Sequence, residues 1–129
     1  MVSLLIVSHS AQLAAGVKEF ADQVAGGKIK IAAAGGAADG SLGTSIDRIQ
    51  AGLCEVASPD GVLILVDLGS AVISVETALE VFSSGPAQIS DAPLVEGAYL
   101  AAVEATDEDA TLEQVAAAAL QARELIKVH

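Results

Sequence analysis

The chain has 129 residues, enough for one domain with a real core and too few for two. It is 53% hydrophobic but only 2% aromatic, so a core must come from Ala, Val, Leu and Ile, and Phe20, Phe82 and Tyr99 are too scattered to form base-stacking platforms. Six basic residues against seventeen acidic ones leave a formal charge of −11, with no Lys or Arg from Ile49 through Ala122, which argues against nucleic acid and anionic membrane as partners.

The first predicted element is a buried parallel strand over Val2 to Val7, which ends on Ser8-His9-Ser10. A helix follows, with Leu13, Val17, Phe20 and Val24 on its inner face and Gly26 and Gly27 as its carboxyl cap. A second strand over Ile29 to Ala34 leads into a glycine-rich loop from Ala34 to Ser45. The next helix turns Ile46, Ile49, Leu53 and Val56 inward, and the pattern places Cys54 as a buried core thiol. Val62 to Val66 is the third strand, and it runs directly into Asp67-Leu68-Gly69-Ser70-Ala71.

A third helix carries Val72, Val75, Leu79 and Phe82 before Gly85 and Pro86 end it, and Ala87 to Ile89 is a weak fourth strand. A fourth helix begins near Pro93, and its face of Gly97, Ala98, Ala101 and Ala102 implies close packing or a buried dimer contact. Thr111 and Gln114 form a capping box for the last helix, which is expected to run through Leu112, Val115, Ala119 and Ile126. The alternation predicts a single α/β domain over residues 1–129, a mostly parallel sheet with helices on both faces, without linker or internal repeat.

If the sheet is parallel, the carboxyl ends of its strands open onto one edge, where ligands bind in open α/β sheets. His9 falls there, at the start of the first helix. Its imidazole can receive a phosphoryl group or merely cap the helix. Asp67 is an acid placed after an apolar strand, where an unpaired charge is costly. It can accept from Nδ1-H of His9 and leave Nε2 nucleophilic, or serve as N-cap of the third helix, and the two roles are compatible.

The Ala34–Ser45 loop has four glycines and three hydroxyls in twelve residues, which suits either an oxyanion cradle or a flexible connector. It has neither the lysine of a Walker loop nor the dinucleotide fingerprint, so no nucleotide site is expected. No arginine lies near His9 in sequence, which disfavours a mutase or acid phosphatase with an arginine-rich pocket. The single cysteine and the only other histidine, His129, rule out an internal disulfide and a cysteine- or histidine-rich metal site. The apolar run at the amino end lacks a basic flank and breaks at His9, so a cytoplasmic protein is expected.

Four motifs in order, Ile6-Val7-Ser8-His9-Ser10, Gly43-Thr44-Ser45, Asp60-Gly61-Val62 leading to Asp67-Leu68-Gly69-Ser70-Ala71, and Ala92-Pro93-Leu94-Val95-Glu96-Gly97-Ala98, carry a resemblance. The chain resembles the phosphotransferase subunits of phosphoenolpyruvate-dependent dihydroxyacetone kinases, which are similar to mannose-family IIA (PTS EIIA mannose-type) domains. The resemblance implies that His9 accepts phosphate on Nε2 from the carrier HPr, with Asp67 as its orienting partner. It implies onward transfer to ADP held in the nucleotide subunit (DhaL), whose ATP serves the dihydroxyacetone-binding subunit (DhaK). A homodimer with no metal or nucleotide of its own is implied as well.

On the residues' own chemistry, Ser10, Gly43, Thr44, Gly69 and Ser70 are candidates to cradle the phosphoryl oxygens. The alternatives are a IIA domain serving a mannose-family sugar transporter or its regulator, and a noncatalytic flavodoxin-like interaction module.

Overall fold

The apolar runs lie side by side. In the computed structural model, which describes Met1–His129, β1 (Ser3–Ser8), β2 (Ile31–Gly35), β3 (Val62–Val66) and β4 (Ala87–Ile89) form one parallel sheet in the order β2-β1-β3-β4. The helices are α1 (Ala11–Ala25), α2 (Ile46–Val56), α3 (Gly69–Leu79), α4 (Leu94–Ala105) and α5 (Leu112–Leu120), with a 3-10 turn over Gln121–Glu124. The two central strands are buried along their whole length, as a sheet covered on both faces requires.

Strand alternation divides the core in two. Leu4, Ile6, Leu63 and Leu65 face α1, α4 and α5, while Leu5, Val7, Val62, Ile64 and Val66 face α2 and α3. The chain leaves β1 toward β2 on one side and leaves β3 toward β4 on the other, so the direction reverses between β1 and β3. In sheets of this kind the crevice outside that reversal is the place for a ligand. The register pairs Val7 with Val66, so His9 and Asp67 emerge there together.

Several expectations need correction. In α1, Val17 is buried and Val24 packs on the core as expected, but the rest of the buried stripe is Ala14, Ala21 and Ala25. Leu13 and Phe20 are 42% and 44% exposed, and Phe20 instead stacks on Tyr99 of α4 with centroids 5.7 Å apart. Alanines win the inner face where α1 packs on α4, whose buried residues are also small (Ala98, Ala101, Ala102 and Ala105), and small-residue faces let the backbones approach. This close packing within one chain accounts for the α4 stripe.

Cys54 is exposed, because the α2 face that meets the sheet is Ile49, Gly52, Leu53 and Val56. Ile46 is exposed at the start of the same helix. The third helix stops at Leu79, and Phe82 packs on the core from the turn beyond it. The last helix has the predicted capping box, but it tightens into the 3-10 turn after Leu120 and leaves Ile126 exposed.

One close approach sets the position of the site. α1 begins so near the end of β2 that a Cβ on Gly35 would lie 2.5 Å from the Ser10 carbonyl oxygen and 2.8 Å from Ala11 Cα. Both neighbours are backbone and cannot move aside without shifting the start of α1. Gly35→Ala is expected to cost about 2–3 kcal/mol of stability, measured by urea denaturation, because overpacking against a rigid neighbour is not relieved. An unchanged midpoint would show that the start of α1 can give way.

Candidate active site

The carboxylate of Asp67 joins the ends of β1 and β3. Its amide donates to the Val7 carbonyl at 3.2 Å, a continuation of the strand pairing. Its Oδ2 accepts from the Ser8 hydroxyl at 2.9 Å and from the His9 amide at 2.9 Å. Oδ1 accepts from the Leu68 amide at 2.7 Å and lies 3.0 Å from His9 Nδ1. Burial pushes the Asp67 carboxyl up, but the bonds from the His9 amide, the His9 ring, the Ser8 hydroxyl and the Leu68 amide outweigh it and hold the group below the usual carboxylate range.

An ionised carboxylate only accepts, so the ring proton of a neutral His9 sits on Nδ1 and the lone pair on Nε2. Nε2 lies 2.9 Å from the Ser70 hydroxyl, which donates to it. Asp67, His9 and Ser70 thus form a line running from the protein interior to the surface. The His9 side chain keeps 26% of its exposure against 13% for Asp67, and Ser70 is exposed. Nε2 is therefore turned outward, behind a single hydroxyl that can rotate away.

Both structural alternatives for these residues are occupied by others. Ser10, not His9, caps α1, its hydroxyl accepting from the Leu13 amide at 3.1 Å. α3 has Leu68 at its N-cap and no side-chain cap at all, so Asp67 does not cap it. That end of α3, with Gly69 and Ser70 in its first turn, offers the positive pole of a helix dipole beside Nε2. A Cβ on Gly69 would point into open space.

The other predicted cradle residues serve the scaffold. The Gly43 amide donates to the His9 carbonyl at 2.8 Å, and the Thr44 hydroxyl is 2.7 Å from Ser74 of α3. Ser10 is engaged in its cap. The structure therefore brings His9, Asp67, Ser70 and Gly69 together and sets Ser10, Gly43 and Thr44 behind them.

Sequence reasoning missed the part played by Ser8, which donates to Asp67 and accepts from the Ser10 amide at 3.0 Å, so that a single hydroxyl links strand, acid and helix start. It also missed Arg123. A cleft of about 570 Å³ beside Asp67, Leu68 and Gly69 is also lined by Pro93, Asp91 and Arg123. The guanidinium there bonds the carbonyl and carboxylate of Asp91. Arg123 is remote along the chain and nothing local in the sequence signals its return to this edge.

No group of three or more His, Cys, Asp or Glu side chains is placed to hold a metal ion, and no helix is long and apolar enough to cross a membrane.

This sheet and site have known relatives. The EIIA-man family, the PTS system fructose IIA component, matches residues 3–116, and the chain belongs to it. The phosphoryl donor subunit DhaM of dihydroxyacetone kinase 2 from Listeria innocua is 38% identical over 107 residues, covering 81% of this chain and 86% of its own length. The PTS-dependent dihydroxyacetone kinase phosphotransferase subunit DhaM of Lactococcus lactis is 38% identical over 98 residues, 76% of this chain and 77% of its own. DhaM of Escherichia coli K12 is 41% identical over 111 residues, but this chain covers only 24% of its length. Within the EIIA-man family, the chain belongs with the DhaM subunits.

Among solved structures, a protein of unknown function, EF1359, is similar at a TM-score of 0.75 and 35% identity over 93% of each chain. The phosphotransferase component EIIA of Streptococcus agalactiae matches at 0.71 with 18% identity over 98% of this chain and 97% of its own, a likeness in fold.

The lowered carboxyl of Asp67 has a measurable sign. A group depressed by folding contributes stability above its unfolded value, about 3.9 for aspartate, and loses it as pH falls through the lower folded value. Asp67→Asn is expected to be less stable than the parent by about 1–3 kcal/mol near neutral pH. Urea titrations in a pH series should show that gap closing only below the ordinary carboxylate range. A gap independent of pH would mean that the charge of Asp67 contributes nothing.

Proposed function

We propose that this chain is the phosphohistidine-carrying subunit of a phosphoenolpyruvate-dependent dihydroxyacetone kinase, with His9 Nε2 as the atom that takes and gives the phosphoryl group. The observation that carries the reading is the Asp67–His9–Ser70 line, which protonates Nδ1, frees Nε2 and turns it outward. The DhaM relatives are named phosphoryl donor or phosphotransferase subunits, in keeping with it.

In the first step Nε2 attacks the phosphorus carried by a phosphorylated donor protein, HPr. The donor's phosphorus–nitrogen bond breaks as the bond to Nε2 forms, and no proton need be exchanged at His9 because Nδ1 keeps its own. The ring becomes a phosphoimidazolium, whose positive charge faces Asp67 at 3.0 Å. The Ser70 hydroxyl, released from Nε2, turns to a phosphoryl oxygen, and the uncapped start of α3 stabilises the charge there. The protein contributes position and electrostatics, as phosphoryl transfer requires.

In the second step a phosphate oxygen of ADP, bound in the nucleotide subunit (DhaL), attacks the same phosphorus, returning His9 to the neutral ring and forming ATP for use on the dihydroxyacetone subunit (DhaK). In this reading the carrier holds no nucleotide or metal of its own, acts in the cytoplasm and works as a homodimer. Its acidic surface suits partners with basic docking faces.

Incubation with phosphoenolpyruvate and the general carrier proteins should add one phosphoryl group per chain by intact mass, and His9→Ala should add none. Labelled phosphate should then pass to ADP in the nucleotide subunit; passage only to a sugar-transporter domain would replace the kinase assignment. Phosphorylation of His9→Ala would overturn the site itself.

Asp67→Ala should fold and lose about a hundredfold in transfer rate, the usual scale for one positioned donor or charge, while Ser70→Ala, whose hydroxyl must first leave Nε2, should lose less. Rapid-quench measurements of labelled phosphate on the two variants test this, and equal effects would contradict the unequal roles given to the pair.

A further inference from the structure

Arg48 bonds only to the main chain. The chain holds seventeen carboxylates and six cations, and this arginine, like Lys28 and Lys30, has no carboxylate within ion-pairing distance. It sits in the first turn of α2, its amide bonded to the Ser45 cap at 3.2 Å, where the helix dipole disfavours a positive charge. Its guanidinium reaches back to two main-chain carbonyls, Gly35 at 2.8 Å and Ala38 at 3.3 Å. The Asp39 carboxylate is near enough to feel this charge, but the direct bonds of the guanidinium go to carbonyls, so the main chain is what it grips.

What it grips is the loop that holds His9. The Gly36 amide donates to the Ser8 carbonyl at 3.1 Å and the Gly43 amide to the His9 carbonyl at 2.8 Å. Between them the chain closes on itself through Ala37 to Ser41 at 2.8 Å and Gly40 to Ala37 at 2.9 Å. Gly36 and Gly43 adopt φ of 78° and 144°, values that only glycine takes readily, so both amides point inward by backbone conformation. The loop is therefore a clasp over the two residues that carry the site, and the guanidinium spans its first half with two of the five donors of a planar fork.

We propose that Arg48 is a positioning residue for phosphoryl transfer, gripping Gly35 and Ala38 so that the 36–43 loop fixes the Ser8 and His9 carbonyls and thereby aims the His9 ring. Asp67 holds the ring from the side of β3, and the clasp holds its backbone from the side of β2. Neither alone defines where Nε2 points. The proposal rests on His9 as the phosphoryl acceptor, which the mass measurement on His9→Ala tests separately.

The experiment is single-turnover phosphorylation of Arg48→Gln and Arg48→Lys over a range of phosphorylated-carrier concentration, with melting temperature recorded alongside. Misplacement of a reacting atom lowers the rate of the chemical step by about tenfold to a hundredfold without weakening docking. The maximal rate of Arg48→Gln should fall by that factor while the half-saturating carrier concentration stays within about twofold. Arg48→Lys, a point charge able to replace one bond of the fork, should recover part of the rate.

Correlation spectra of the His9 ring nitrogens should show Nδ1 still protonated in both variants, since Asp67 is untouched. An unchanged maximal rate in Arg48→Gln overturns the proposal, as does a loss confined to half-saturation. If Arg48→Gln melts below the assay temperature, Arg48→Lys is read by the same criteria, and a rate that merely follows its folded fraction also overturns it.

Discussion

The site depends on one carboxylate accepting four hydrogen bonds. Asp67 receives the Ser8 hydroxyl, the His9 amide, the His9 ring and the Leu68 amide, three of them from the end of the neighbouring strand and one from its own. A charge 13% exposed at the rim of an apolar sheet is costly when bare. Four donors remove the cost and, in doing so, lock the ends of β1 and β3 to each other. The acid is thus both a structural rivet and the group that assigns the His9 tautomer, so the geometry of the His9 ring is tied to the integrity of the sheet.

That arrangement requires the helices to come very close to the strand ends, and small residues make this possible. Gly35 lets α1 start against the end of β2, and Gly97 lets α4 pass over the sheet, where a Cβ would lie 2.8 Å from that of Ala92 and 3.2 Å from Leu65. The scarcity of aromatic residues and the abundance of alanine follow from the same demand. Bulkier side chains go to the surface seam, as Phe20 and Tyr99 do. A core of this type trades side-chain area for backbone proximity, which sharpens the placement of the loops at the expense of burying large groups.

Most of the architecture was legible in the sequence because strand-length apolar runs alternated with helical spacing, and Val62 to Val66 and Ala87 to Ile89 are strands to the residue. The His9–Asp67 pairing was readable too, since parallel strands bring the residues after their apolar runs to one edge. Helix faces were less legible. Leu13 and Phe20 outweigh Ala14 and Ala21 on any hydropathy scale, yet close packing of backbones, not hydrophobicity, chose the inner stripe. Cys54 was misplaced for the same reason, because Gly52 took the position facing Leu5. The hydrogen bonds of Gly43 and Arg48 could not be read at all, because main-chain acceptors leave no trace in side-chain patterns, and the Thr44–Ser74 hydroxyl pair joins two residues far apart in the chain.

The distribution of cations bears on why such a site can act as a relay. Lys18 pairs with Asp22, Lys127 with Glu96 and Arg123 with Asp91, while Arg48 is turned to carbonyls. The bonded partner of Nε2 is a neutral hydroxyl. A phosphoryl group held there would meet a helix dipole and a hydroxyl, interactions of moderate strength, in place of a fixed guanidinium fork, whose bidentate grip on phosphate is among the strongest a protein offers. Binding that is equal in the ground state and the transition state gains nothing in rate, and a deep ground state would hinder the second transfer. On the proposed function, a charge-poor acceptor beside an ionised orienting acid would satisfy both requirements: the imidazolium would be stabilised while it forms, and the phosphoryl group would remain free to leave.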